Sequence, residues 1–146
     1  MSDPVIADPQ LKAAVEEVLA DSNDTNWCVF NFDGKNIVFN TKGTDGLHGL
    51  LAALEDDQAQ FAYLRSVSGD AESKRAKFSF ITWVGESVGA LKRAKISVIK
   101  ASAKKVIQNY GTEFHFTEKD ELDETAIMTK IKKAGGADYS GNTSQN

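Results

Sequence analysis

The sequence predicts an α/β (α+β) fold, a single domain whose central mixed β-sheet of about five strands is sandwiched between helices on both faces. Three observations carry this expectation. Hydrophobic spacing alternates between helical and strand periods in the order α-β-β-α-β-β-α-β-α. One segment, FSFITWV at 78–84, is largely apolar on both of its faces, Phe78, Phe80, Thr82 and Val84 on one and Ser79, Ile81 and Trp83 on the other, so it needs cover from each side and belongs at the centre of the sheet. The length of 146 residues suits one hydrophobic core.

The elements follow in order. Asp8 and Pro9 suit an N-cap and a first helical position, and Leu11, Ala14, Val15, Val18 and Leu19 then recur at helical spacing, predicting a first helix to about Asp21. WCVFNF ends on Asp33-Gly34 and is followed by NIVFN, the pattern of an antiparallel hairpin. Leu47, Leu50, Leu51 and Leu54 predict a short amphipathic helix closed by the acidic run Glu55, Asp56 and Asp57. QFAYLRSVSGD reads as a third strand ending at Gly69 and Asp70. After the doubly apolar strand, Gly85 breaks the run and Ser87 is the expected cap of a long helix reaching about Tyr110. On a helical wheel Leu91, Val98, Ser102 and Val106 form its packed side, with Arg93, Lys100 and Lys104 opposite. EFHFTE gives a short strand, and Thr117 with Asp120 resembles a capping box for a last helix carrying Leu122, Ile127 and Ile131. The domain is expected over residues 5–134, with Gly135-Gly136 ending the helix and residues 135–146 forming a flexible tail.

Composition bounds the function. Hydrophobic residues make up 41% and charged residues 26%, the balance of an ordinary globular chain. No stretch approaches the roughly 18 apolar residues of a membrane span, and MSDPVIADPQ lacks a basic region followed by an apolar one, so a cytoplasmic protein is expected. The single cysteine, Cys28, cannot form an internal disulfide, which suits a reducing compartment. The net charge of −4 averages two unlike regions. Residues 72–105 hold nine cations against two acids, +7, which leaves −11 on the rest of the chain. A molecule polarised in this way suits an acidic partner.

Catalytic chemistry has no visible carrier, and a protein without enzymatic activity is expected. His48 and His115 lie in different elements and lack metal-ligand spacing. Cys28 sits in an apolar strand as a small hydrophobe, and no glycine-rich phosphate loop is present, so no catalytic, cofactor or metal residue is assigned. Glu16 with Glu17, and Glu121 with Asp123 and Glu124, read as solvated helix faces. Nucleic acid is disfavoured by the net negative charge and by the absence of exposed aromatics among the cations. A phosphoinositide-binding or adaptor domain using the same basic surface remains the alternative reading.

SKRAKF leading into a buried strand, ITWVGES leading into the long basic helix, WCVFNFDG near the start and KKAGGADY near the end together resemble the coactosin branch of the actin-depolymerising-factor homology family. The resemblance implies a monomeric, cytoskeletal protein that binds the side of F-actin and obstructs capping at filament ends. It implies actin-binding positions at Lys74, Arg75 and Lys77 in the basic loop, Lys92, Arg93 and Lys95 at the start of the long helix, and Lys132 and Lys133 before the glycine pair. Lys77, at the strand edge, is the foremost of these, and Ile96 is the expected apolar contact beside the basic stripe. Unlike the depolymerising branch, the long helix opens without proline, through Val88-Gly89-Ala90, and Ala94 separates Lys92 from Lys95. That departure implies little monomer binding or severing.

Overall fold

The computed structural model describes residues 9–20, 22–32, 36–68 and 75–139. The elements are α1 (Pro9–Leu19), β1 (Trp27–Phe32), β2 (Ile37–Gly43), α2 (Gly46–Ala52), β3 (Ala59–Ser68), β4 (Arg75–Val84), α3 (Ala90–Val106), β5 (Thr112–Phe116), a 3-10 turn at Lys119–Glu121 and α4 (Glu124–Tyr139). The five strands form one sheet in the order β2-β1-β3-β4-β5. Neighbours are antiparallel except β4 and β5, which run parallel and are joined by α3 as the crossover.

Strand alternation sorts the core into two layers. Cys28, Phe30 and Phe32 of β1, Phe61 and Tyr63 of β3, and Phe80 and Val84 of β4 pack under α1 and α3. The intervening residues, Trp27 and Val29, Ala62 and Leu64, Ile81 and Trp83, pack under α2 and α4 with Phe114 and Phe116 of β5. The expected architecture is therefore present. β4 is covered on both faces as its composition requires, although the middle position of the sheet belongs to β3.

Several local expectations give way to other solutions. α1 ends at Leu19, and Asp8 and the Asp33-Gly34 turn lie outside the described residues. Gly89, not Ser87, is the N-cap of α3, and no side chain caps it. Ser87 instead donates its backbone N–H to the Asp56 carbonyl, 2.9 Å. The capping box is formed by Glu118 with Glu121 on the 3-10 turn, one residue away from Thr117 and Asp120. α4 begins later, where Asp123 Oδ1 accepts from the N–H groups of Thr125 and Ala126 at 3.0 and 3.3 Å. It also runs through Gly135 and Gly136 to Tyr139, past the predicted stop. A helical glycine costs only about 1 kcal/mol relative to alanine, which does not by itself end a helix.

Candidate functional site

The ITWVGES segment is a docking point between three parts of the chain. Trp83, buried, donates its indole Nε1–H to the Glu55 carbonyl at 2.7 Å. Gly85 donates its N–H to the Gln58 carbonyl at 3.0 Å and lies so close to the neighbouring loop that a Cβ there would sit 2.0 Å from the Asp56 backbone oxygen. No residue other than glycine fits that approach. Gln60, fully buried, holds the same loop by accepting from the Glu55 N–H at 2.8 Å and donating to Asn31 Oδ1 at 2.9 Å. The start of α3 thus leaves β4 from a fixed platform.

α3 packs through Ile96, Ile99, Ser102 and Ala103. This corrects two expectations. Ile96 is only 6% exposed and belongs to the core under α3, so it is unavailable as a contact beside the basic stripe. Leu91 and Val98, expected to pack, are 82% and 66% exposed. The helix is apolar on two sides, and the sheet takes the side that carries the β-branched residues Ile96 and Ile99 together with the small Ala103. The outward stripe consists of Leu91, Ala94, Lys95, Val98, Ala101 and Lys105, all exposed. Lys100 and Lys104 are not on it. They lie on the flank toward β5, where Glu113 pairs with Lys104 at 3.0 Å and with Lys100 at 3.7 Å.

The other predicted positions divide into two groups. Lys92 is half-buried, its ammonium 5.8 Å from the centre of the Phe32 ring, and with Lys95, Leu91 and Phe32 it lines a niche of about 200 Å³. Arg93 is exposed, but its guanidinium turns back on its own chain: Nε donates to the Val88 carbonyl at 3.1 Å, and Nη2 donates to those of Gly85 and Glu86 at 2.9 and 3.2 Å. Arg75 and Lys77 belong to β4, not to a loop, and Lys74 lies outside the described residues. Lys77 pairs in register with Ser66 and shares its strand face with Ser79, Ile81 and Trp83, the face covered by α2 and α4. The β1 and β5 ladders stop at Leu64 and Ser79, so the β3–β4 pair extends beyond both as a two-stranded ribbon that carries Lys77 and the half-exposed Val67. Lys132 and Lys133 are exposed on α4, just after Ile131, which packs in the layer under α2 and α4. Met128 of α4 lines a cleft with Ser66 and Val67 of the ribbon, so α4 reaches the end of the sheet that carries Lys77.

α3 runs from the far end of β4 back toward that ribbon, where the Gly111 N–H bonds to the Phe78 carbonyl at 2.9 Å. At 1.5 Å per residue its length separates the two groups by about 20 Å. The amines near Lys92 and those near Lys77 therefore occupy opposite ends and opposite layers of the sheet, not one patch. Burial pushes the Cys28 thiol up to about 12, which keeps it protonated and inert. His48 binds Glu124 at 2.8 Å, and among the described residues no cluster of acids, histidines or cysteines is arranged to hold a metal. Among them too, no helix is long and apolar enough to cross a membrane.

Residues 4–132 match the family model described as cofilin/tropomyosin-type actin-binding protein. The coactosin of Dictyostelium discoideum is 54% identical over 143 residues, covering 97% of this chain and 98% of that protein. The chain belongs to the cofilin/ADF family of actin-binding proteins. Within the family its solved neighbours include the coactosin of Entamoeba histolytica, with a TM-score of 0.82 and 41% identity across 89% of this chain and 96% of that one. Mouse coactosin, described as an actin filament binding protein, has a TM-score of 0.75 and 38% identity across 96% of this chain and 97% of that one. Members of the cofilin/ADF family bind actin and are not enzymes, and the absence of a catalytic reading from the sequence accords with that membership.

Proposed function

We propose that the protein binds along the side of actin filaments, with little affinity for the monomer and no severing, and that it counteracts capping at filament ends. The observation that carries this reading is the outward stripe of α3, where Leu91 and Val98 stand exposed among Lys95, Lys105 and small residues on a helix whose other side is anchored. Exposed apolar side chains supply desolvated contact, and the lysines around them steer an acidic partner into register. Lys77 on the ribbon, with Lys132 and Lys133 on α4, forms a second contact on the opposite layer of the sheet, about 20 Å from Lys92. Two contacts on opposite layers of the sheet fit a polymer that presents two subunits better than they fit one flat surface of a monomer. The filament binding stated for mouse coactosin supports the same reading. The working location is then the actin cytoskeleton of the cytoplasm.

Co-sedimentation tests the proposal. The protein is expected to pellet with filaments and to show no matching complex with monomeric actin, and Lys77→Ala and Lys95→Ala are each expected to weaken pelleting. A wild-type protein that stays in the supernatant with filaments but floats with phosphoinositide vesicles would assign the basic residues to a lipid surface instead.

A further inference from the structure

The guanidinium of Arg93 sits where elementary electrostatics disfavours it. It lies in the first turns of α3, next to Lys92 and Lys95, at the helix end where the backbone dipole is positive and no acidic residue occurs in the first turn. Lys92 and Lys95 point into or beside the niche over Phe32. Arg93 instead makes three hydrogen bonds to the carbonyls of Gly85, Glu86 and Val88, the residues that connect β4 to α3. Its own N–H bonds to Gly89 at 3.0 Å and closes the first helical turn. Gly85 and Ser87 are bonded to the Gln58 and Asp56 carbonyls, but the connection has no side-chain cap at Gly89, where a Cβ would meet nothing within 4 Å, so the step from Ser87 into the helix is held by Arg93. Only a planar fork with several donors can tie three carbonyls of such a segment to one side chain.

We propose that Arg93 is a positioning residue, whose guanidinium fixes the angle at which α3 leaves β4 and so the direction in which Leu91 and Lys95 meet the filament, without itself contacting actin. This rests on the filament-side reading above. Because the bonds are charge-assisted and act on the uncapped entry to α3, their loss changes the presentation of the helix more than it changes the core, which is anchored further along α3 by Ile96 and Ile99.

The test compares Arg93→Gln, Arg93→Lys and Lys95→Ala by filament co-sedimentation across a range of ionic strength, together with hydrogen exchange at the amides of residues 85–93 and thermal melts. Arg93→Gln is expected to lower filament affinity about tenfold at every ionic strength. The slope of affinity against salt should match that of the wild type. Arg93→Lys should fail to restore affinity although it keeps the charge, and both variants should exchange faster at Ser87, Val88 and Arg93 than the wild type. Lys95→Ala should flatten the salt dependence without changing exchange. Full binding by Arg93→Lys, or a flattened salt slope in Arg93→Gln, would show that Arg93 acts through its charge and overturn the proposal. A lower melting temperature with unchanged affinity of the folded protein would reduce it to a stability role and overturn the proposal equally. If the wild type fails to pellet, the filament reading falls and this inference with it, whereas wild-type pelleting with unaltered binding by Arg93→Gln rejects the inference alone.

Discussion

Gly85 shows how one residue type can be dictated by a single distance. A methyl group there would press into the Asp56 backbone, which is itself bonded to Ser87 and cannot retreat cheaply. Gly85→Ala is expected to destabilise the protein by about 1–3 kcal/mol, measured by denaturant unfolding. The two histidines give a second test at this scale. Hydrogen bonding to Glu124 raises the pKa of His48, whereas burial first and then the Lys100 charge lower that of His115. His48 should therefore titrate at a higher pH than His115 in an NMR titration, and Glu124→Gln should bring His48 down. Because the folded pKa of His48 is the raised one, its favourable pairing with the Glu124 carboxylate is complete just below the ordinary imidazole value and fades as pH climbs through the raised one. Glu17 works in the opposite sense. Hydrogen bonds from Lys42 and Thr25 lower its pKa, so its contribution is present above the ordinary carboxylate range and disappears as acid protonates it below that range.

At the scale of elements, sequence pattern located the four α-helices and five strands of the described residues but misjudged which side of α3 meets the sheet. A wheel drawn on Leu91, Val98, Ser102 and Val106 has the same apolar content as one drawn on Ile96, Ile99 and Ala103, and only the sheet beneath the helix decides between them. Ser102 lies near the boundary of the two and is buried under either choice. The error concealed the most informative surface residues, because an apolar side chain is assigned to the core until something else fills that place. Leu91→Ala should leave thermal stability unchanged, since the side chain is already in water, and weaken filament pelleting by about 1 kcal/mol or more without altering its salt dependence. Ile96→Ala should do the reverse and lower stability by about 2–5 kcal/mol. The hydrogen bonds of Arg93 were equally hidden, because nothing in the spelling VGESVGALKR distinguishes a guanidinium that turns inward from one that faces solvent.

The whole molecule is a sandwich whose two helical layers look in opposite directions, and the strongly basic segment wraps from one to the other. In sequence Lys77 and Lys92 stand only fifteen positions apart, which suggests one patch, yet β4 and α3 fold back along each other and carry them to opposite ends. Sequence reveals the excess of positive charge but not its division, since division depends on the direction of a crossover. The consequence is measurable: in a double-mutant cycle by co-sedimentation, the effects of Lys77→Ala and Lys95→Ala should add to within about 0.5 kcal/mol.

The parallel partnership of β4 with β5 matters before the protein is finished. A ribosome must deliver all of α3 before the segment that shields the outer margin of β4 emerges, so the nascent chain holds for a time a ten-residue strand, oily above and below, with bare amides along one side. Any interruption of synthesis between Val106 and Thr112 would release that sticky intermediate permanently, and products truncated there should collect in inclusion bodies while the full chain stays dispersed.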